Sequence, residues 1–303
     1  MLLLLLALGL AAATAAPPSP IVPALRLPDL PPPPEGGMIM PTDVAIGRAG
    51  RIYVVDSGNQ RVLVYGTDGA LLSTFGSSGA AAATLVAPVG IATAADGSVF
   101  VADRAARRVQ IFDADGTFLH TLVTRVGMLE IAPVDVAVDP AGERVYVTAT
   151  APYNRVLVYG KQGRIERIWG IPGNNPGEFR YPATLAVAPT NEIYIVDVFN
   201  TRVQVLDRRG KYLVAVGSWG VTPGQFFRPK GVALRGDGSV LVSDSYLGVI
   251  QLFNEDTRLR GVIGHGGEFA RFDTPAGLAV DGRNRLYVAE MLANKVSVLQ
   301  LEP

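Results

Sequence analysis

The chain has 303 residues, of which 27 are basic and 27 acidic, so it has no net field to attract nucleic acid. It contains no cysteine, which excludes disulfides, thiol catalysis and cysteine-bound zinc or haem. Its 34 glycines and 22 prolines punctuate a sequence rich in valine, leucine and isoleucine, and this mixture favours many short strands in an all-β fold.

The N-terminus is an apolar segment of the kind that directs secretion. Leu2 to Ala16 form an apolar run, and Ala13-Thr14-Ala15 fits a cleavage site, although no basic residue follows Met1. The run is shorter than the roughly 20 residues of a transmembrane helix. We therefore predict a signal peptide over residues 1–15, a mature protein without a membrane span, and a secreted or periplasmic location.

Residues 16–37 form a proline-rich segment, with nine prolines between Pro17 and Pro34. Such a composition does not suit a core element. Ile21 to Leu27 is its one strand candidate, and the neighbouring prolines favour an edge strand over an inner one.

The rest of the chain, residues 38–303, is built from repeats. The frame Pro-x-x-(apolar)-Ala begins at Pro41, Pro88, Pro133, Pro182, Pro229 and Pro275, with spacings of 47, 45, 49, 47 and 46 residues. A period in this range indicates a propeller or a solenoid. Each repeat contains four short apolar segments separated by turns, which is typical of one antiparallel four-stranded blade. The sequence therefore predicts an all-β, six-bladed β-propeller. Because the last repeat supplies only three strands, we expect Ile21 to Leu27 to close the sixth blade.

Two positions of the frame predict the packing. The alanines that end it are expected to face the crowded axis of the ring, where larger side chains would collide. The residues three before each proline are expected to pack between blades, since five of the six are bulky and apolar: Met38, Leu85, Glu130, Phe179, Phe226 and Phe272.

The loops between the second and third strands carry a family motif. Asp56-Ser-Gly-Asn-Gln-Arg-Val62 and Asp197-Val-Phe-Asn-Thr-Arg-Val-Gln204 resemble the Asp-x-x-Asn-x-Arg-Val-Gln core of NHL repeats, whose propellers have six blades. The pairs Asp56/Arg61, Asp103/Arg108 and Asp197/Arg202 recur from blade to blade. We therefore predict that they hold loops rather than catalyse, and we assign the third repeat's acid position to Thr148.

The resemblance implies several activities. The family that the chain resembles includes peptide-amidating lyases that use a histidine-bound zinc. The chain's two histidines, His120 and His265, cannot supply three zinc ligands. The family also includes RNA-binding modules of tripartite-motif proteins, which the neutral charge and the predicted export disfavour. We therefore expect no nucleic-acid partner.

The start of the inner strands offers one candidate metal site. Asp43 and Asp135 are expected at one mouth of the central channel, where they could share a Ca²⁺ ion with carbonyl oxygens and water. Alternatively, each aspartate caps its own turn, since two carboxylates fall short of the usual shell of about six to eight oxygens. We expect no cofactor, with Ca²⁺ at these two residues as the alternative.

Large apolar residues gather in the loops and linkers at one end of the predicted strands. Aromatic residues placed where a scaffold does not require them suggest a recognition surface, although neighbouring loops could also bury them. The leading prediction is an exported, non-catalytic scaffold that binds a protein, peptide or other ligand there. The alternatives are a metal-assisted hydrolase or lyase with a Ca²⁺-like site at the channel mouth, and an RNA-binding NHL module. The candidate residues are Tyr153, Tyr181, Phe199, Trp219, Phe227, Tyr246, Met291 and Leu292.

Overall fold

The computed structural model describes residues 21–77, 83–150 and 153–302. The predicted signal peptide over residues 1–15 lies outside these ranges. None of the helices in the described ranges is long and apolar enough to cross a membrane. Three single turns of 3₁₀ helix occur at Arg48–Gly50, Ser57–Asn59 and Val198–Asn200.

The described residues form 27 strands. The first fourteen are β1 Ile21–Leu27, β2 Pro41–Ile46, β3 Ile52–Asp56, β4 Arg61–Tyr65, β5 Leu71–Phe75, β6 Pro88–Thr93, β7 Val99–Asp103, β8 Arg108–Phe112, β9 Phe118–Val123, β10 Arg125–Val126, β11 Leu129–Glu130, β12 Pro133–Val138, β13 Arg144–Ala149 and β14 Arg155–Gly160. The others are β15 Ile165–Trp169, β16 Pro182–Val187, β17 Ile193–Asp197, β18 Arg202–Leu206, β19 Tyr212–Val216, β20 Pro229–Leu234, β21 Val240–Asp244, β22 Val249–Phe253, β23 Leu259–His265, β24 Glu268–Phe269, β25 Pro275–Val280, β26 Arg285–Glu290 and β27 Lys295–Leu301.

Each repeat of the sequence becomes a run of antiparallel strands. Four separate four-stranded sheets comprise β2–β5, β6–β9, β12–β15 and β16–β19, each in chain order. The first strand of every repeat begins at its frame proline, because a residue without an N–H group is tolerated where a strand starts. The proline pairs with the last residue of the second strand, as Pro41 does with Asp56 and Pro182 with Asp197. Both strand ends therefore lie on one face of the molecule, which we call the loop face.

The first strands form a ring around a channel. Each first strand contacts the first strand of the next repeat, in the order β2, β6, β12, β16, β20 and β25, and β25 contacts β2. A cavity of about 240 Å³ lies between them. The cavity wall includes the six frame alanines, whose small side chains let the strands converge: Ala45, Ala92, Ala137, Ala186, Ala233 and Ala279. The chain therefore has an all-β propeller fold.

The N-terminal strand β1 joins the last two repeats into one nine-stranded sheet. Ile21–Pro23 pair in parallel with Val262–Gly264 of β23. Ala24–Leu27 pair antiparallel with Val298–Leu301 of β27. Ala24 is buried in the core shared by these strands, and Leu30 beyond β1 is buried against the first sheet. Without β1, both β23 and β27 would have open edges.

The packing between sheets follows the prediction except in the third repeat. Met38, Leu85, Phe179, Phe226 and Phe272 are buried. Glu130 is exposed, and the next residue, Ile131, is buried in its place. The extra hairpin β10–β11 ends at Glu130 and displaces the chain by one residue.

The recurrent acids hold the loop face together. Asp56 Oδ2 accepts a hydrogen bond from Arg61 Nε at 2.7 Å, and Asp197 Oδ2 accepts one from Arg202 Nε at 3.2 Å. Asp103 instead accepts bonds from linker backbone amides, and Arg108 donates to the Thr84 carbonyl oxygen.

The assignment of the third repeat's acid position to Thr148 is wrong. Ala149, not Thr148, pairs with Pro133, so Ala149 occupies that position. Thr148 lies one residue earlier, where its hydroxyl donates to the Ala183 carbonyl oxygen at 2.6 Å. The insertion before Arg155 conceals this one-residue shift in the sequence.

Candidate ligand-binding face and channel mouth

The loop face carries a continuous row of rings and one guanidinium group, which we call the aromatic–arginine strip (Tyr181, Phe199, Arg228, Phe227 and Tyr246). The Tyr181 and Phe199 ring centroids are 5.3 Å apart, and those of Phe227 and Tyr246 are 4.3 Å apart. The Arg228 guanidinium joins the two pairs, lying 5.2 Å from the Phe199 centroid and 5.5 Å from that of Phe227. Such contacts hold rings and cation in one arrangement while leaving their outer surfaces accessible.

The strip is built by two neighbouring repeats. Tyr181 and Phe199 come from the linker before β16 and the turn after β17, and Phe227 and Tyr246 come from the linker before β20 and the turn after β21. Buried acids fix both loops: Asp197 accepts a bond from the Arg180 N–H, and Asp244 accepts bonds from the Phe227 and Tyr246 N–H groups. The side chains of Phe199 and Tyr246 remain 48% and 67% exposed.

The other predicted loop-face residues lie outside the strip. Trp219, in the linker between β19 and β20, is 71% exposed and stacks on no other ring of the described chain. Tyr153 is half-buried beneath the Arg155 guanidinium. Leu292 is exposed, whereas Met291 is half-buried with its sulfur 3.2 Å from the Lys230 ammonium.

Two cations at the channel mouth were not predicted from the sequence. Arg104, in the loop after β7, donates a hydrogen bond to the Tyr181 hydroxyl at 3.2 Å. Lys230 follows the frame proline of β20, and its backbone oxygen accepts the Thr184 hydroxyl at 2.6 Å. Burial lowers the pKa of the Lys230 ammonium, and the positive charge of Arg104 lowers that pKa further. We call Arg104 and Lys230 the mouth cations.

Sequence signals for Lys230 and for Arg228 of the strip existed but were weak. The residue after the frame proline is uncharged in the other repeats, so Lys230 departs from its repeat. Arg228 stands between the aromatic Phe227 and Pro229. Neither pattern shows that side chains from separate repeats converge.

Asp43 and Asp135 form a buried carboxyl pair at the start of the channel. They lie within hydrogen-bonding reach of each other although β6 separates their strands in the ring. Asp43 accepts bonds from the N–H groups of Val44 and Ile91, both at 2.9 Å. Asp135 Oδ2 accepts the Leu185 N–H at 2.9 Å, and its buried Oδ1 accepts no bond from the described residues.

The surroundings of this carboxyl pair favour the protonated form of its carboxyl groups. Burial raises the pKa of Asp43 to about 7, against the opposing effect of its backbone hydrogen bonds. Burial first, and then the charge of Asp43, raise the pKa of Asp135 well above its usual range. A shared proton would satisfy Asp135 Oδ1.

The ring is tight around the pair. A Cβ on Gly277 would lie 2.6 Å from the Asp43 Cα, and one on Gly90 would lie 2.7 Å from the Asp135 Cα. Within the described part of the chain, no three His, Cys, Asp or Glu side chains are grouped as metal ligands. The pair can share a proton, and a cation bound there would need oxygen ligands besides these two carboxylates.

Comparison with known proteins identifies the repeat. Residues 39–65 match the NHL repeat model. NHL repeat-containing protein 3 of Mus musculus is 33% identical over 129 residues, covering 39% of this chain and 37% of the relative. The chain therefore carries an NHL repeat and is similar to NHL-repeat-containing proteins. "Protein brain tumor" of Drosophila melanogaster is 28% identical to this chain over 138 residues, covering 43% of the chain and 12% of the relative. The matches thus span well under half the length of these curated relatives.

Solved structures share the fold of this chain. A gluconolactonase from Xanthomonas campestris superposes with a TM-score of 0.68 at 16% identity, covering 93% of this chain and 99% of the other. A streptogramin B lyase superposes with a TM-score of 0.64 at 11% identity, covering 92% and 97% of the two chains. At these identities the similarity concerns the fold alone.

Proposed function

We propose that this NHL-repeat protein is an exported, six-bladed propeller that binds a protein or peptide ligand on its loop face, in a secreted or periplasmic location. The six-bladed interpretation divides the nine-stranded sheet into a fifth blade, β20–β23, and a sixth, β25–β27 closed by β1. It is supported by the six frame prolines and by the ring of six first strands.

The observation that carries the binding proposal is the exposed aromatic–arginine strip. Phe199 and Tyr246 are largely exposed, whereas Phe227 is half-buried and Tyr181 also packs against the core. Aromatic and cation–π contacts keep the rings in a fixed row. Rigid aromatic residues and arginine are the residue types that most often dominate protein interfaces. A row of this kind fits apolar or aromatic side chains of an extended ligand.

Selection from a displayed peptide library on the immobilised protein tests the proposal. Peptides selected by the wild type are measured against Phe199→Ala with Tyr246→Ala. Because truncating an interface anchor often costs about 2 kcal/mol or more, we expect at least about a thirtyfold loss of affinity. The matched control is Leu119→Ala with Leu213→Ala, on outer strands at 49% and 47% exposure. Equal losses in both double variants, or no loss in either, would contradict the proposal.

A second candidate function is a metal-assisted hydrolase or lyase. The observation that favours it is the buried carboxyl pair beside the channel, on a fold that a gluconolactonase and a lyase share. Calorimetric titration with Ca²⁺ separates the two functions. Binding that Asp43→Asn abolishes would favour the enzyme, whereas no binding would leave the scaffold as the simpler account.

A further inference from the structure

The mouth cations reach the channel from opposite sides of the ring. Arg104 follows β7, which pairs with β6, and Lys230 lies on β20; these first strands are three places apart in a cycle of six. The positive charge of Arg104 nevertheless lowers the pKa of the Lys230 ammonium, so the two cations lie close enough to repel each other. Arg104 also spans the third repeat to reach Tyr181, which precedes β16. Both cationic side chains are therefore held close to the axis of the ring.

Neither mouth cation has an acidic partner within the described part of the chain. The ion pairs of the other cations include Lys295 with Asp29 and Arg61 with Asp56, but none involves Arg104 or Lys230. Lys230 is half-buried, with a methionine sulfur as its hydrogen-bond acceptor. A poorly solvated ammonium group without a carboxylate is unfavourable, and an anionic ligand would supply the missing charge.

The mouth cations also adjoin the strip. Arg104 bonds to Tyr181, which is the first ring of the row that continues through Phe199 and Arg228 to Phe227 and Tyr246. One continuous surface thus runs from two cations at the axis to exposed rings at the rim. An amphipathic ligand with a negative charge at one end matches this order of charge and ring.

We propose that the mouth cations form a carboxylate subsite, and that the ligand is a peptide whose carboxylate lies between Arg104 and Lys230 while its apolar side chains cover the strip. This inference rests on the proposed loop-face function and specifies its ligand class. A nucleic acid is disfavoured, because a phosphate backbone calls for many cations along a track rather than two at a point.

The experiment compares acetyl-Phe-Ala-Tyr bearing a free carboxylate with the same peptide as its carboxamide. Lysines are reductively methylated with ¹³C-formaldehyde, which keeps their charge and gives four lysine signals, for Lys161, Lys211, Lys230 and Lys295. Lys230→Arg assigns the Lys230 signal while preserving the cation. In the free protein, burial and the charge of Arg104 should lower the pKa of Lys230 below the usual value for lysine.

The carboxylate peptide should raise the pKa of Lys230, leave the chemical shift of the exposed Lys211 signal unchanged, and bind roughly tenfold more tightly than the carboxamide, a difference of about 1.4 kcal/mol. Arg104→Gln should reduce this preference to about twofold or less, a loss of about 1 kcal/mol. Lys230→Arg should retain the preference, and Lys211→Gln should not change it.

Equal binding of the two peptides, a Lys230 signal that ignores the carboxylate, or an unchanged preference in Arg104→Gln would overturn the subsite. Tighter binding of single-stranded RNA than of the carboxylate peptide would overturn it as well. These failures would leave the loop-face function standing if library peptides still lose affinity in Phe199→Ala with Tyr246→Ala. A failure of that library test would remove the function itself.

Discussion

The carboxyl pair predicts how stability depends on pH. Asp43 has its pKa raised from 3.8 to about 7 in the folded protein. As pH rises from about 4 to about 7, this carboxyl loses its proton in the unfolded chain before it does so in the folded one. The contribution of Asp43 to the stability of the fold is therefore complete below about pH 4, is lost as pH rises, and is absent above about pH 7.

The magnitude follows from the same shift. Each pKa unit corresponds to about 1.4 kcal/mol. Deprotonation of Asp43 alone would therefore lower the free energy of unfolding by on the order of 4 kcal/mol between pH 4 and pH 7. Asp135 adds to the loss, because its pKa is raised as well. Asp135→Asn replaces this second acid with a neutral group of the same shape, whose amide can still accept the Leu185 N–H and donate to Asp43.

The assay is urea unfolding of the wild type and Asp135→Asn at pH 5, 6, 7 and 8, with exposed Asp256→Asn as the matched control. The wild type should lose stability across this range, Asp135→Asn should lose distinctly less, and the control should follow the wild type. Because the comparison uses differences between variants at the same pH, the contributions of the other titrating groups to the free energy of unfolding cancel. Parallel curves for the wild type and Asp135→Asn would refute the shared-proton account.

Three further predictions concern the scaffold and its export. Ala137→Leu should destabilise the fold by about 1–3 kcal/mol, because the frame alanine lines the channel; unchanged urea unfolding would show that the ring has spare room. Deleting residues 21–30 should lower the melting temperature by several degrees, since it opens the edges of β23 and β27, and an unchanged melt would make this segment a mere tether. N-terminal sequencing of exported protein should find a start at or near Ala16, and retained Met1 would contradict the predicted signal peptide.

The repeat period carried most of the fold information. Proline and alanine recur at fixed places, and each place has one structural role: a strand start without an N–H donor, and a small side chain against the channel. The third repeat shows the limit of this reasoning. Its short β10–β11 hairpin and the insertion before Arg155 each shift the frame by one residue, which moved the predicted packing residue to Glu130 and the acid position to Thr148. Counting residues cannot locate an insertion within a loop.

The candidate site was only partly accessible from the sequence. Loop position placed Phe199 and Tyr246 at the same end of neighbouring repeats, but it could not show that Arg228 joins their ring pairs. The frame placed Asp43 and Asp135 near one mouth of the channel. It could not show that their side chains meet across β6. The pairing of Arg104 with Tyr181 depends on the curvature of the closed ring, which residue spacing alone does not give.

The most direct test of the central claim is amide hydrogen exchange of the wild type with and without a peptide selected from the library. Exchange should slow in the segments that carry the strip, residues 179–181, 198–201, 226–228 and 245–248, while the outer strands β9 and β19 should exchange as in the free protein. Slowing confined to the outer strands, or none at peptide saturation, would contradict binding at the loop face.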